Sequence, residues 1–69
     1  MNIFAERLKE LREEREFSYV KLAKELGVSA VAIGRWERNL RIPNIVELKK
    51  IAEFFGVSAD YLLGITDFI

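Results

Sequence analysis

Cysteine and histidine are both missing from this sequence. Without them there is no disulfide to staple a small fold, no Cys/His zinc site, and neither Ser-His-Asp nor Cys-His nucleophilic chemistry. No Gly-rich phosphate loop is present either, and the carboxylates lie mainly at helical surface spacings, so neither an enzyme nor a metal or other cofactor is expected. No uninterrupted apolar run approaches the roughly 18 residues of a membrane span. Met1-Asn2-Ile3-Phe4-Ala5-Glu6-Arg7 also carries charge too early for a secretory signal. The chain is expected to be soluble and intracellular, with no membrane partner.

What the sequence does have is apolar content. At 51% of 69 residues it suffices for one small core and a single domain spanning residues 1–69. That length falls just below the roughly 70–80 residues at which one core becomes comfortable, so stability has to come from efficient helix packing.

Eleven Lys/Arg cancel eleven Asp/Glu, yet the balance is uneven along the chain. Residues 1–16 hold four basic and five acidic side chains, residues 17–43 five and two, and residues 44–69 two and four. The middle third is positive. Its excess is small enough to be scatter among solvated helix faces, and equally it is where an anionic partner would be met.

Hydrophobic periodicity predicts an all-α chain of five short helices. Phe4, Leu8 and Leu11 recur at steps of four and three, one face of a helix running to about Glu16, with Asn2 placed to cap it. Phe17-Ser18 breaks the pattern, and Ser18 caps a second helix that turns Leu22, Ala23 and Leu26 inward and stops at Gly27. Val28-Ser29 repeats the device for a third helix, through Ile33 and Trp36 to Asn39. After the loop Arg41-Ile42-Pro43, Asn44 and Glu47 form a near capping box. The fourth helix they open has Ile45, Leu48, Ile51, Ala52 and Phe55 inward and Gly56 as its stop. Val57-Ser58 begins a fifth, Ala59 to Leu63, halted at Gly64.

A short helix, a turn built on glycine and a second helix, SYVKLAKELGVSAVAIGRWE, make a helix-turn-helix unit, in which the second helix enters the DNA major groove. This stretch resembles the repressor/Cro-type helix-turn-helix family of phage repressors and small bacterial regulators. The resemblance runs through nearly the whole chain: RLKELRE, LAKELGVS, IGRWERN, RIPNIVELKKIAEFFGVS and ADYLLG stand in register. It implies a phage-repressor-like DNA-binding domain in the cytoplasm of a bacterium, encoded there or by a phage and associated with the nucleoid.

The resemblance makes the third helix the recognition helix, and the periodicity agrees. With Ile33 and Trp36 inward, Ala30, Val31, Gly34 and Arg35 become candidate base contacts. Arg35 can pair in bidentate fashion with guanine O6 and N7. Ser18, Tyr19, Ser29, Arg38, Arg41 and Asn44 are candidate phosphate contacts, the residues at helix N-termini through free backbone amides. Family members pair a glutamate matching Glu37 with an arginine matching Arg12, which implies a partly buried ion pair pinning the first helix to the third. Trp36, three residues from Ile33, is expected in the core.

One departure from the family leaves two readings open. Members usually carry Gln at the start of helix two and polar residues early in helix three, where this chain has Tyr19-Val20 and Ala30-Val31. The apolar pair can lie against thymine methyl groups, or the surface can serve as a protein-interaction module with weak or no DNA binding. The first reading predicts a sequence-specific binder of double-stranded DNA, a transcriptional regulator acting as a repressor. Such proteins commonly dimerise on an inverted-repeat operator with half-sites about 34 Å apart. Tyr61, Ile65, Phe68 and Ile69 are the candidate homodimer contacts, the alternative being a tail that folds back or frays.

Overall fold

A computed structural model describes residues 3–69 of the chain; the cap expected at Asn2 lies outside them. Five helices succeed one another: α1 (Ile3–Glu14), α2 (Tyr19–Leu26), α3 (Ala30–Glu37), α4 (Ile45–Phe55) and α5 (Ala59–Leu63). No strand occurs among the described residues. The all-α, five-helix expectation is met.

Helix entry follows one chemical device. The hydroxyls of Ser18, Ser29 and Ser58 accept hydrogen bonds from the backbone N–H groups of Lys21, Ala32 and Tyr61, at 3.1, 3.1 and 3.0 Å. Each satisfies an amide that the first turn leaves without a helical partner. The apolar residues before these serines, Phe17, Val28 and Val57, pack into the core along with Leu22, Ile33 and Leu62, four places inside each helix. That is the arrangement of a hydrophobic staple, which fixes the angle at which the chain enters. At α4 the full capping box forms: Asn44 Oδ1 accepts from Glu47 N at 2.8 Å, and Glu47 Oε1 accepts from Asn44 N at 2.9 Å.

Helix exit is equally uniform. Residues Glu16, Gly27, Asn39, Gly56 and Gly64 take positive φ, and after each the next N–H reaches back to the carbonyl five residues earlier, as in Phe17 N to Arg12 O at 3.1 Å and Leu40 N to Arg35 O at 2.9 Å. This six-to-one bond closes the Schellman motif. It also explains why α1 stops at Glu14, two residues short of the predicted end: Glu16, at φ 57°, has left the right-handed helix. A glutamate there pays a steric penalty of about 1–2 kcal/mol that glycine avoids, partly offset by glycine's freer unfolded chain. Glu16→Gly is therefore expected to raise stability by about 0.5–1 kcal/mol, read as an increase in the urea midpoint with an unchanged slope.

The core takes at least one fully buried large side chain from every helix: Leu8, Leu22, Ile33, Trp36, Ile51 and Leu62. Each contributes about 1.5–3 kcal/mol by leaving water. Trp36 sits in this core as its spacing predicted, with its indole N–H buried and, among the described residues, without a hydrogen-bond partner. One expectation fails. Ile45, placed inward by periodicity, is 85% exposed. Asn44, Ile45 and Val46 are all exposed, so the opening turn of α4 stands clear of the core and its buried face begins only around Leu48. α1 packs on α3 and α5, and α4 on α2 and α5, which leaves one flank of the α2–α3 pair open to solvent.

Candidate nucleic-acid interface

The turn between α2 and α3 sets the recognition geometry. Gly27 adopts φ 69°, a backbone state that costs a side-chain-bearing residue about 1–2 kcal/mol, and Val28 N closes the turn on Ala23 O at 3.0 Å. Ile33 and Trp36 then anchor α3 by its inner face. On the outer face Val31 is 59% exposed and Arg35, one turn on, is exposed as well. Its carbonyl accepts from Leu40 N, but among the described residues the Arg35 guanidinium has no hydrogen bond or ion pair. An unpaired guanidinium beside an apolar side chain on an exposed helix face can take a bidentate acceptor such as guanine and an adjoining methyl group.

Beneath that face lies an ion pair. Arg12 Nε donates to Glu37 Oε2 at 2.7 Å and Arg12 Nη2 to Glu37 Oε1 at 3.0 Å, while Nη1 donates to the Phe17 carbonyl at 2.9 Å. The side chains are 13% and 2% exposed. Glu37 hydrogen bonding is the main cause of a raised Arg12 pKa, opposed by burial, so the guanidinium remains charged at any pH below the ordinary arginine range. The pair binds α1 to the end of α3, as the resemblance implied, and keeps the Glu37 carboxylate from facing an anionic partner.

Tyr19 and Arg38 occupy the ground between α2 and α3. Arg12 lies over the Tyr19 ring, 4.7 Å from its centroid, and Arg38 Nε donates to the Gly34 carbonyl at 3.0 Å. Both side chains crowd the position where Gly34 lacks a Cβ. Gly34 is buried, which corrects its expected role: it is a packing position under Tyr19 and Arg38, not a surface a base can touch. Ala30 is half-buried against the core, leaving Val31 and Arg35 as the fully presented pair.

The expected phosphate contacts divide in the same way. Arg41 is exposed in the loop after α3 and, among the described residues, unpaired. Ser18 and Ser29 use their oxygens as cap acceptors, which leaves each hydroxyl proton able to donate. Asn44 is different. Its backbone N–H is already taken by the Glu47 carboxylate, whose charge opposes a phosphate at that helix end, so an amide contact there would fall to the following first-turn residues, Ile45 and Val46, rather than to Asn44 itself.

The tail holds what the sequence did not reveal. Arg7 donates to the carbonyls of Tyr61 and Thr66, the latter at 2.7 Å, and to Asp67 Oδ1 at 2.7 Å, and it lies 4.1 Å from the centre of the Tyr61 ring. These partners are more than fifty residues away in sequence, and no local spacing signals them. Tyr61 is thereby half-buried within its own chain, with only part of its ring surface left outside. Ile65, Phe68 and Ile69 remain exposed, Phe68 at 84%. Leu40, Ile42, Ile45, Val46 and Leu63 add further exposed apolar surface, and Ile42 and Leu63 line a cleft with Phe4, Pro43 and Leu48. No described helix is long and apolar enough to cross a membrane.

Comparison with known proteins places this architecture. A helix-turn-helix family model matches residues 8–62. The HTH-type transcriptional activator BcrR of Enterococcus faecalis is 41% identical over 61 residues, 88% of this chain and 30% of that protein. Among solved structures, the P22 c2 repressor protein in complex with a synthetic operator superposes with a TM-score of 0.85 at 35% identity, covering 91% of this chain and 96% of that one. The N-terminal DNA-binding domain of SinR from Bacillus subtilis gives 0.82 at 33% identity, covering 91% and 93%. Curated relatives are longer: the chain spans 30% of BcrR and 58% of the Bacillus subtilis regulator YobD. With the family match covering most of its length, the chain belongs to the helix-turn-helix family, whose curated relatives are HTH-type transcriptional regulators.

Proposed function

We propose that this chain binds double-stranded DNA sequence-specifically and regulates transcription as a repressor, with α3 in the major groove. The observation that carries the reading is the unpaired Arg35 beside exposed Val31, on a helix whose inner face and acidic end are both locked into the fold. Arg35 is the guanine reader, Val31 meets a thymine methyl, and Arg38 and Arg41 with the hydroxyls of Ser18, Tyr19 and Ser29 hold phosphates. The role is binding without catalysis. Two copies act together on an inverted repeat, joined through Ile65, Phe68, Ile69 and the apolar surface beside them, in the cytoplasm and on the nucleoid. P22 repressor, which resembles this chain closely, has been captured on an operator, and that supports the choice of partner.

Selection from a random duplex pool tests the reading, the expected product being an enriched inverted repeat. On that site Arg35→Ala should lose about 1–3 kcal/mol and relax the preference at one position of each half-site, while non-specific binding stays near the parent value. Enrichment of no sequence, or an Arg35→Ala variant with the parent's base preferences, would sink the proposal.

A further inference from the structure

Gly34 is buried on the flank of α3 that faces solvent through its neighbours. A Cβ built there would stand 3.4 Å from an Arg38 guanidinium nitrogen and 3.4 Å from Cε2 of Tyr19. The Tyr19 ring is held in turn by Arg12, whose guanidinium lies 4.7 Å from the ring centroid and is itself fixed by Glu37 and the Phe17 carbonyl. A chain of contacts thus leads from the buried ion pair through Tyr19 to the surface of α3.

We propose that Gly34 is an affinity-determining position: the side chain it lacks is the seat that orders Tyr19 and Arg38 as preset phosphate contacts, and Arg12 acts through Tyr19 as a positioning residue. The inference rests on the DNA-binding reading above and adds a coupling that reading does not contain. Side chains ordered before binding lose less rotamer freedom on contact than free ones. A methyl group at 34 reaches ordinary van der Waals distance and moves nothing, whereas a longer side chain must evict the Tyr19 ring, Arg38 or both. Each is a surface side chain, so eviction alters the reading surface without opening the core.

Affinity for the selected duplex, the salt slope and the melting temperature are to be measured together. Gly34→Ala should bind within about twofold of the parent and melt no lower, since alanine favours the helix over glycine. Gly34→Gln should lose about tenfold or more with a salt slope shallower by about 1 per subunit, as Arg38 leaves its phosphate. In a Tyr19→Ala background the ring's space is free for the glutamine, so adding Gly34→Gln should cost less than about twofold further. Losses that multiply in full, or a Gly34→Gln variant that binds like the parent, would overturn the inference. In the free protein the Gly34 Hα resonance should be displaced by the Tyr19 ring current and return to its ordinary position in Tyr19→Ala; an unmoved resonance overturns the seat itself. A parent chain that selects no duplex defeats the DNA reading separately, and the resonance then still judges the packing.

Discussion

Arg12→Ala is expected to bring the fold close to the point of unfolding at room temperature. The Glu37 side chain is 2% exposed and takes both of its charged hydrogen bonds from Arg12. Removing one partner of a buried pair costs about 3–5 kcal/mol, because the remaining charge stays out of water without compensation. At roughly 0.05–0.15 kcal/mol per residue, the whole stability of a 69-residue chain is of that same order. A domain of this size shifts its melting temperature by about 4–8 °C per kcal/mol, so the midpoint should fall by well over 10 °C if a folded baseline survives at all. The double variant Arg12→Met, Glu37→Met removes both charges and keeps apolar volume in the space, and it should recover much of the loss. The raised Arg12 pKa fixes the pH behaviour of the arginine side of the pair. A folded-state pKa above the unfolded one means that this contribution is fully present below the ordinary arginine range and is lost only as pH rises through the folded value. Mildly alkaline buffer should therefore leave it intact. A melting temperature that moves by only a few degrees in Arg12→Ala would mean that Glu37 finds water or another donor.

Which features were legible in the sequence follows from the range of the interactions that make them. Ser18, Ser29, Ser58 and Asn44 cap amides three residues away, and Gly27, Gly56 and Gly64 close bonds spanning five, so both ends of most helices lie within a short window of residues. Trp36 and Ile33 follow from helical phase. Glu16 does not, because nothing in its chemistry favours positive φ; the six-to-one bond from Phe17 to Arg12 imposes it. Ile45 has the right phase but sits in a first turn that no other helix covers. The burial of Gly34 and the Arg7 contacts of Tyr61 were hidden for a common reason: phase gives the direction of a residue on its own helix and says nothing of a Tyr19 or an Arg7 arriving from elsewhere. The Arg12–Glu37 pair, twenty-five residues apart, was legible only through resemblance to relatives.

The other large effect is electrostatic and separates a dimer from a single copy on DNA. The chain has no net charge, so long-range attraction cannot come from the molecule as a whole. It must come from the local excess around Arg35, Arg38 and Arg41, while Glu37 is neutralised by Arg12 at 2.7 Å. If each subunit neutralises two phosphates through Arg38 and Arg41, a dimer neutralises about four, and log K should fall with log salt at a slope of roughly −3.6. Between about 50 and 200 mM salt that is a loss of about 150-fold, against about 12-fold for a single copy with a slope near −1.8. Arg41→Ala should weaken binding to all sequences alike and make the dimer slope shallower by about 2. Arg35→Ala should leave the slope nearly unchanged while relaxing base preference, because a guanidinium on guanine displaces no condensed counterion from a phosphate. Affinity that is flat in salt would exclude the phosphate contacts assigned to Arg38 and Arg41. A slope near the single-copy value would keep those contacts but remove the two-copy assembly, and with it the role given to Ile65, Phe68 and Ile69.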